Sequence, residues 1–530
     1  MTHHQPLRTA SVSLLLLVSA LASGCGPRPS PTTALTYGLT LAPTGIDPHL
    51  NASAELGIPL SSVYDTLVFQ DAETGEFVPG LAERWTISPD VQTYTFYLRH
   101  DVYFHDGTPF NAEAVRANLD YTLNPDHHSQ KAASMLGPLE SVEVVDEFTV
   151  SFHLAEPFAP LLDSLSQVYL GMASPQALET WGPSDYQFHQ VGTGPYRFVE
   201  YVPNDHLTLE RNPDYAWAPS VYHQARAGID RITFLFYVDV PSRALALENG
   251  EAQIVGEIPP LDASRLAAAG FQLLPVPISG QPMQLLFNTR LFPTDQLAVR
   301  QALILGIDRQ AIVETVFGDY SPVAQGPLSA STLGYAPEAA FPSYDPQAAR
   351  EALRSAGWVD VDGDGVRSLD GEPLALHIVV PTWGSSPEVA QLVAAAWENL
   401  GADVTISTAA SFGILKEAQA GGQYNAIALN FFGTDPDLLR SFYTSNGLYN
   451  WTGIQDPEID RLLLDASRLT SDPEARLERY ADFARRVRDQ ALLLPIRDYV
   501  NLVVADSHVE GLRFSPQGWF PYLIDLRLAP

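Results

Sequence analysis

Cysteine is almost absent: Cys25 stands alone in 530 residues, so no intramolecular disulfide can form. Lysine is nearly as scarce, with Lys131 and Lys416 the only two among 30 basic residues, a bias we read as the coding habit of the source genome rather than a site. Basic charge as a whole is outnumbered by 62 acids, and a net charge of −32 opposes long-range attraction to nucleic acid or an anionic lipid face. Beyond residue 22 no apolar run approaches the ~20 residues that span a bilayer. Also missing are the spacings G-x-S-x-G, H-E-x-x-H, C-x-x-C and G-x-x-x-x-G-K-S/T. The 13 histidines are scattered, apart from His3–His4 and His127–His128. These absences agree with a protein that is not an enzyme and needs no cofactor, but absent motifs do not exclude an enzyme built from dispersed residues.

What is present is a globular composition, 46% hydrophobic and 10% aromatic, in a chain long enough for about three domains. Near the start, Arg8 precedes the apolar run "SVSLLLLVSALA" (11–22), which has the length of a signal-peptide core. Small residues then lead to Cys25, placed like the lipidated Cys of a bacterial lipoprotein, although Leu21 lies one step too early for the usual pattern. The expectation is a signal peptide over 1–25, a lipid anchor on Cys25 holding the protein to the outer face of the membrane, and a Pro-rich tether over 26–33.

From Ala34 onward, short β-like runs alternate with helical patterns, which predicts α/β architecture. "DRITFLFYV" (230–238) and "LALHIVVPTW" (374–383) read as buried strands, each followed by a helix closed by Gly250 or Gly401. "TYTFYLRHDVYF" (93–104) and the paired strands of "SVEVVDEFTVSFHL" (141–154) suggest a small β-rich insert. Two later helices open on Asp-Pro-Glu, with Asp as cap and Pro in the first turn. "VGTGPYRFVEY" (191–201) has the two close glycines of a phosphate cradle but no helix behind them, so the glycines are expected to turn the chain into a strand.

The run "YDTLVFQDAETGEFVPGLAERWTISPDVQTYTFYLRHDVYFHDGTPFNAEAV" (64–115) resembles the segment typical of family 5 extracellular solute-binding proteins of ABC importers. "VGTGPYRFVEY", "FNTRLFPTDQLAVRQALILGIDRQAIVETVFG" (287–318), "YDPQAAREALRSAGW" (344–358), "DPDLLRSFYTS" (435–445) and "YNWTGIQDPEIDRLL" (449–463) resemble the same family, in the expected order. The resemblance implies a two-lobed periplasmic-binding-protein (flytrap) fold with an extra β-rich domain inserted in the first lobe. On that pattern lobe I takes 34–63, 183–283 and 496–530, the insert 64–182, and lobe II 284–495. It also implies a monomeric receptor that carries a peptide or peptide-like solute to a membrane permease and its ATPase. The alternatives are an oligosaccharide or metal chelate in the same cleft, or a secreted hydrolase or peptide-handling chaperone.

The resemblance suggests the ligand contacts as well. Ala52, Ser53 and Ala54 occupy the loop that offers backbone groups to ligand. Peptide-binding members carry an Asp for the ligand's amino terminus where this chain has Phe432. Asp435 either takes over that charge or caps a helix. Trp383, Phe431, Phe432 and Trp451 are candidates for aromatic walls, with burial in the core as the competing reading. Arg497 and Tyr499 share one face of a returning strand, where Arg497 either forks a ligand carboxylate or bridges the lobes. Finally, Asp360, Asp362 and Asp364 have the alternate spacing of a calcium loop, but its twelfth position is Gly371, flanked by Asp370 and Glu372. A solvated acidic hairpin is the favoured reading there, with calcium as the option and no metal expected.

Overall fold

The computed structural model describes Met1, Thr2 and residues 33–43 and 45–529. Residues 3–25 of the expected signal peptide, Cys25 among them, and all of the tether but Thr33 lie outside the described residues. Among the described residues no helix is long and apolar enough to cross a membrane.

Two sheets organise the rest. The first has seven strands in the order 272–277, 500–505, 254–255, 34–39, 231–236, 206–211 and 196–202. Strand Ala34–Leu39 runs parallel to its two neighbours, and the flanking pairs are antiparallel. The second has five strands in the order 403–409, 375–381, 426–432, 280–287 and 493–497. Its fourth strand, Gly280–Phe287, paired antiparallel on both edges, is buried along its whole length, as a strand covered on both faces must be. A third, four-stranded antiparallel sheet is made of 82–87, 93–98, 149–154 and 139–146. Here the expected strand over 93–104 is shorter than the sequence suggests and ends at Leu98.

The apolar side chains divide the same way. One continuous core gathers residues between Leu35 and Ile278 and between Tyr499 and Leu526, so the four-stranded sheet shares its core with the seven-stranded one. A second core runs from Met283 to Ile496. The chain therefore passes between cores near 278–282 and 497–498. The crossings touch each other through Ile278 N, which donates to the Tyr499 carbonyl at 2.9 Å.

Local chemistry explains the elements. Asp456 accepts from the amides of Glu458 and Ile459 and so starts helix Pro457–Arg468. Asp472 accepts from Ala475 N and starts Pro473–Asp489. The Gly-Thr-Gly stretch leads into strand Tyr196–Val202, as expected, but not because its glycines adopt left-handed backbone: neither has a positive φ. They are needed for close approach. A Cβ on Gly192 would lie 2.0 Å from the Val63 carbonyl oxygen, and one on Gly194 would lie 2.4 Å from that of Ser62. Between them Thr193 Oγ1 donates to buried Asp65, which also receives Tyr215 Oη and Trp217 Nε1. The motif thus bolts strand to loop and cradles no phosphate. Gly192→Ala should destabilise by about 1–3 kcal/mol, the usual range for overpacking. Gly421→Ala, where a Cβ meets nothing, should stay within about 0.5 kcal/mol. Urea midpoints of the two variants check the pair, and equal midpoints would defeat the close-approach account.

Candidate functional site

Where the two cores face each other they leave cavities whose walls come from both. The larger, about 120 Å³, is bounded on the first-core side by Ala52, Lys131 and Asp163, and on the other by Phe431, Phe432 and Arg440. A second, about 90 Å³, lies nearer the crossings between Arg243 and Glu257 on one side and Phe317, Ser321 and Arg497 on the other. Both are small beside the roughly 300–1,000 Å³ of ordinary small-molecule sites. Direct contacts hold the walls together: Ala159 N donates to the Ser467 carbonyl at 2.8 Å, Arg468 pairs with Glu156 at 2.5 Å, and Thr434 bonds Asp163.

The charges in the larger cavity are mostly spoken for. Asp435 does not stand free: its carboxylate accepts from the Asp437 amide at 2.8 Å, just ahead of the next helix. Helix Leu438–Tyr443 has Asp437 at its cap position, and Arg476 forks both oxygens of Asp435 at 2.9 and 2.6 Å. The Asp-Pro step thus still accepts the amide two residues on, one residue ahead of the assigned cap. Asp437 in turn pairs with Arg440 at 2.8 Å. Asp163 accepts from Gln167 Nε2 at 2.8 Å as well as from Thr434. Burial, followed by the neighbouring Asp435 charge, pushes its carboxyl up to about 7. Lys131 places Nζ 3.8 Å from the Tyr169 ring centroid and 5.7 Å from that of Phe431. Its burial lowers the ammonium to about 8.

The smaller cavity is built around Arg497. Its guanidinium stacks 3.8 Å from the Phe317 centroid and 4.2 Å from that of Tyr499, and Nη1 donates to Ser321 at 2.9 Å. Nε finds no partner among the described residues, and burial holds the group below the ordinary arginine range. Tyr499 Oη donates to the Glu257 carboxylate. Arg497 ends a strand of the second sheet while Tyr499 belongs to the first core, so the stacked pair spans the seam.

The remaining candidates are spread differently. Ala52 lines the larger cavity, the Ser53 carbonyl accepts from Tyr169 Oη at 3.2 Å, and Ala54 packs on the first core. Phe431 packs on Phe442 and Tyr449, and Phe432 lies 5.2 Å from Tyr499 and 5.0 Å from Trp519. Trp451 is buried in the second core against Phe412 and Tyr449 and does not line the larger cavity. Trp383 is half-buried, and the smaller cavity takes its neighbours Gly384 and Ser385 as wall. Asp360, Asp362 and Asp364 are exposed, and their carboxylates accept from Gly363, Gly365, Asp364 and Val366 amides of their own turn. Their carboxylate oxygens also lie within 4.8 Å of one another, so the turn fits a solvated hairpin and a cation loop alike. Sequence reasoning missed Lys131 and Asp163. Lysine scarcity was the available signal for the first, and nothing in the local sequence marks the second.

The family model described as "Bacterial extracellular solute-binding proteins, family 5 Middle" matches residues 76–453. The chain belongs to the family 5 solute-binding proteins. Glutathione-binding protein GsiB of Salmonella typhimurium is 38% identical over 281 residues, 53% of this chain and 53% of that relative, so such relatives are matched over about half their length. The nickel-binding periplasmic protein of Escherichia coli is 28% identical over 96% of each chain. Among solved structures, NikA from Brucella suis in complex with Fe(III)-EDTA superimposes with a TM-score of 0.82 at 25% identity, covering 93% of this chain and 99% of that one. The two-lobed α/β architecture of family 5 is thus the architecture of this chain, with its cavities along the seam between lobes.

Proposed function

We propose that this protein is the extracytoplasmic substrate-binding component of an ABC importer, held to the membrane by lipid on Cys25, which captures a peptide or peptide-like solute and hands it to a permease driven by its ATPase. The supporting observation is that each seam cavity has walls from both cores, so a bound solute would stabilise the closed pair of lobes by touching both. The lobes are taken as 34–63, 183–283 and 496–530 against 284–495, with 64–182 inserted in the first. Relatives named for glutathione and nickel and a neighbour holding Fe(III)-EDTA favour a small solute over a long peptide. The occupied state of Asp435 supports a cargo without a free amino end, because a buried ammonium would lack an acidic partner there.

Mass spectrometry of material released by denaturation from protein purified out of its native host should reveal a small bound solute. Adding that solute back should shrink the radius of gyration in small-angle scattering. An unchanged radius at saturation would count against closure around cargo, and absence of any retained or rebindable solute would remove the receptor reading.

A further inference from the structure

Lys131 is the open valence of the larger cavity. Around it Asp435 is matched by Arg476 and Asp437 by Arg440, while both oxygens of Asp163 accept bonds from Thr434 and Gln167. The ammonium itself touches the Tyr169 and Phe431 rings and makes no hydrogen bond or ion pair among the described residues. A ring face attracts a cation but offers none of its three donors an acceptor. Lys131 is half-buried, so its ammonium has donors left for an acceptor that enters the cavity. The apolar rings of Phe431 and Phe432 stand in the same wall.

We propose that the seam cavity is an anion subsite in which Lys131 Nζ receives a carboxylate of the solute, whose apolar portion rests on Phe431 and Phe432. The proposal rests on the receptor reading for its solute but concerns the charge that this solute must carry. A monoanion is specified because, among the described residues, one free cation faces the cavity and the acids Asp163, Asp435 and Asp437 line it. A phosphate dianion would meet their repulsion with no second free cation to offset it.

The scarcity of lysine makes the test clean. Lys416 is exposed, so it serves as an internal reference in the same molecule. Intact protein, stripped of cargo, is treated with trace acetic anhydride across pH, and the two lysines are read by peptide mass spectrometry. Lys131 should acylate with a midpoint below that of Lys416. Acetate, at matched ionic strength, should raise that midpoint and slow Lys131 acylation by about tenfold at neutral pH, the factor of one pKa unit. Lys416 should not change, and neutral acetamide should leave both lysines as they were. Equal effects of acetate and acetamide would overturn the subsite, as would a Lys131 indistinguishable from Lys416. A Lys131 unlabelled at every pH also overturns it, since a cavity closed to the anhydride is closed to acetate. Captured cargo without acetate protection would remove the subsite and leave the receptor reading standing. Acetate protection without capturable cargo would do the reverse.

Discussion

Arg476→Met is expected to destabilise the protein by about 3–5 kcal/mol, the cost of leaving one member of a buried ion pair uncompensated. Arg476 lies on helix Pro473–Asp489 and is 8% exposed. It forks Asp435 and also donates from Nε to the Ala466 carbonyl at 3.2 Å. Burial alone would disfavour the guanidinium charge, but Asp435, Tyr480 and Asp437 hold its pKa above the ordinary arginine value. Methionine keeps the stem and the helix propensity, so the loss is chiefly electrostatic. What remains is Asp435 beside Asp163 and Asp437, three acids with Arg440 and Lys131 as the bases lining the same cavity. The double variant Asp435→Asn/Arg476→Met should recover more than half of the loss, because the uncompensated charge is gone. Denaturant unfolding of the four proteins gives the cycle. A single-variant cost below about 1 kcal/mol would show the pair to be no stronger than a surface one.

That pair also shows which parts of the molecule were legible in sequence. Helix starts were readable at Asp456 and Asp472 because a cap acts on amides two or three residues away. Strands such as Ala375–Pro381 were readable from their run of β-branched and apolar residues. Both are local signals. The partner of Asp435 lies 41 residues away on another helix, and no periodicity announces it. The same limit applies to Trp451, whose burial depends on Phe412 and Tyr449 arriving around it. Lys131 was passed over because composition was allowed to explain it. Its placement against Tyr169 comes from an insert helix and a loop meeting in space. At Gly192 and Gly194 the residue type was noticed and the reason was not, since a close backbone approach cannot be told from a turn until the neighbour, Val63, is in place.

Stability should fall as pH rises from about 5 to about 7.5, by on the order of a few kcal/mol, against the usual tendency of acid to weaken proteins. Burial raises Glu55 to about 7, Asp163 to about 7 and Asp498 to about 6, and it raises Asp65 and Asp437 as well. Each of these holds its proton longer in the folded chain than in the unfolded one. Between the ordinary carboxylate range and about pH 7, the folded state therefore binds more protons, and unfolding becomes easier with each step upward. Asp71, Asp90 and Asp506 are shifted the other way, but they act below the ordinary carboxylate range and leave this window alone. His105 does oppose the trend. Buried and lowered to about 4, it must stay neutral in the fold, and its contribution grows as pH rises toward the ordinary histidine value. One histidine against the three acids raised to about 6 or 7 leaves the sign negative, and the growing net negative charge adds self-repulsion in the same direction. Denaturant midpoints across that range, repeated with Asp163→Asn, separate the parts: the variant should show a shallower slope because it removes one of the protons being counted. A midpoint that is flat or rises toward neutral pH would mean that water or counter-ions reach these carboxyls and that the seam is looser than its hydrogen bonds imply.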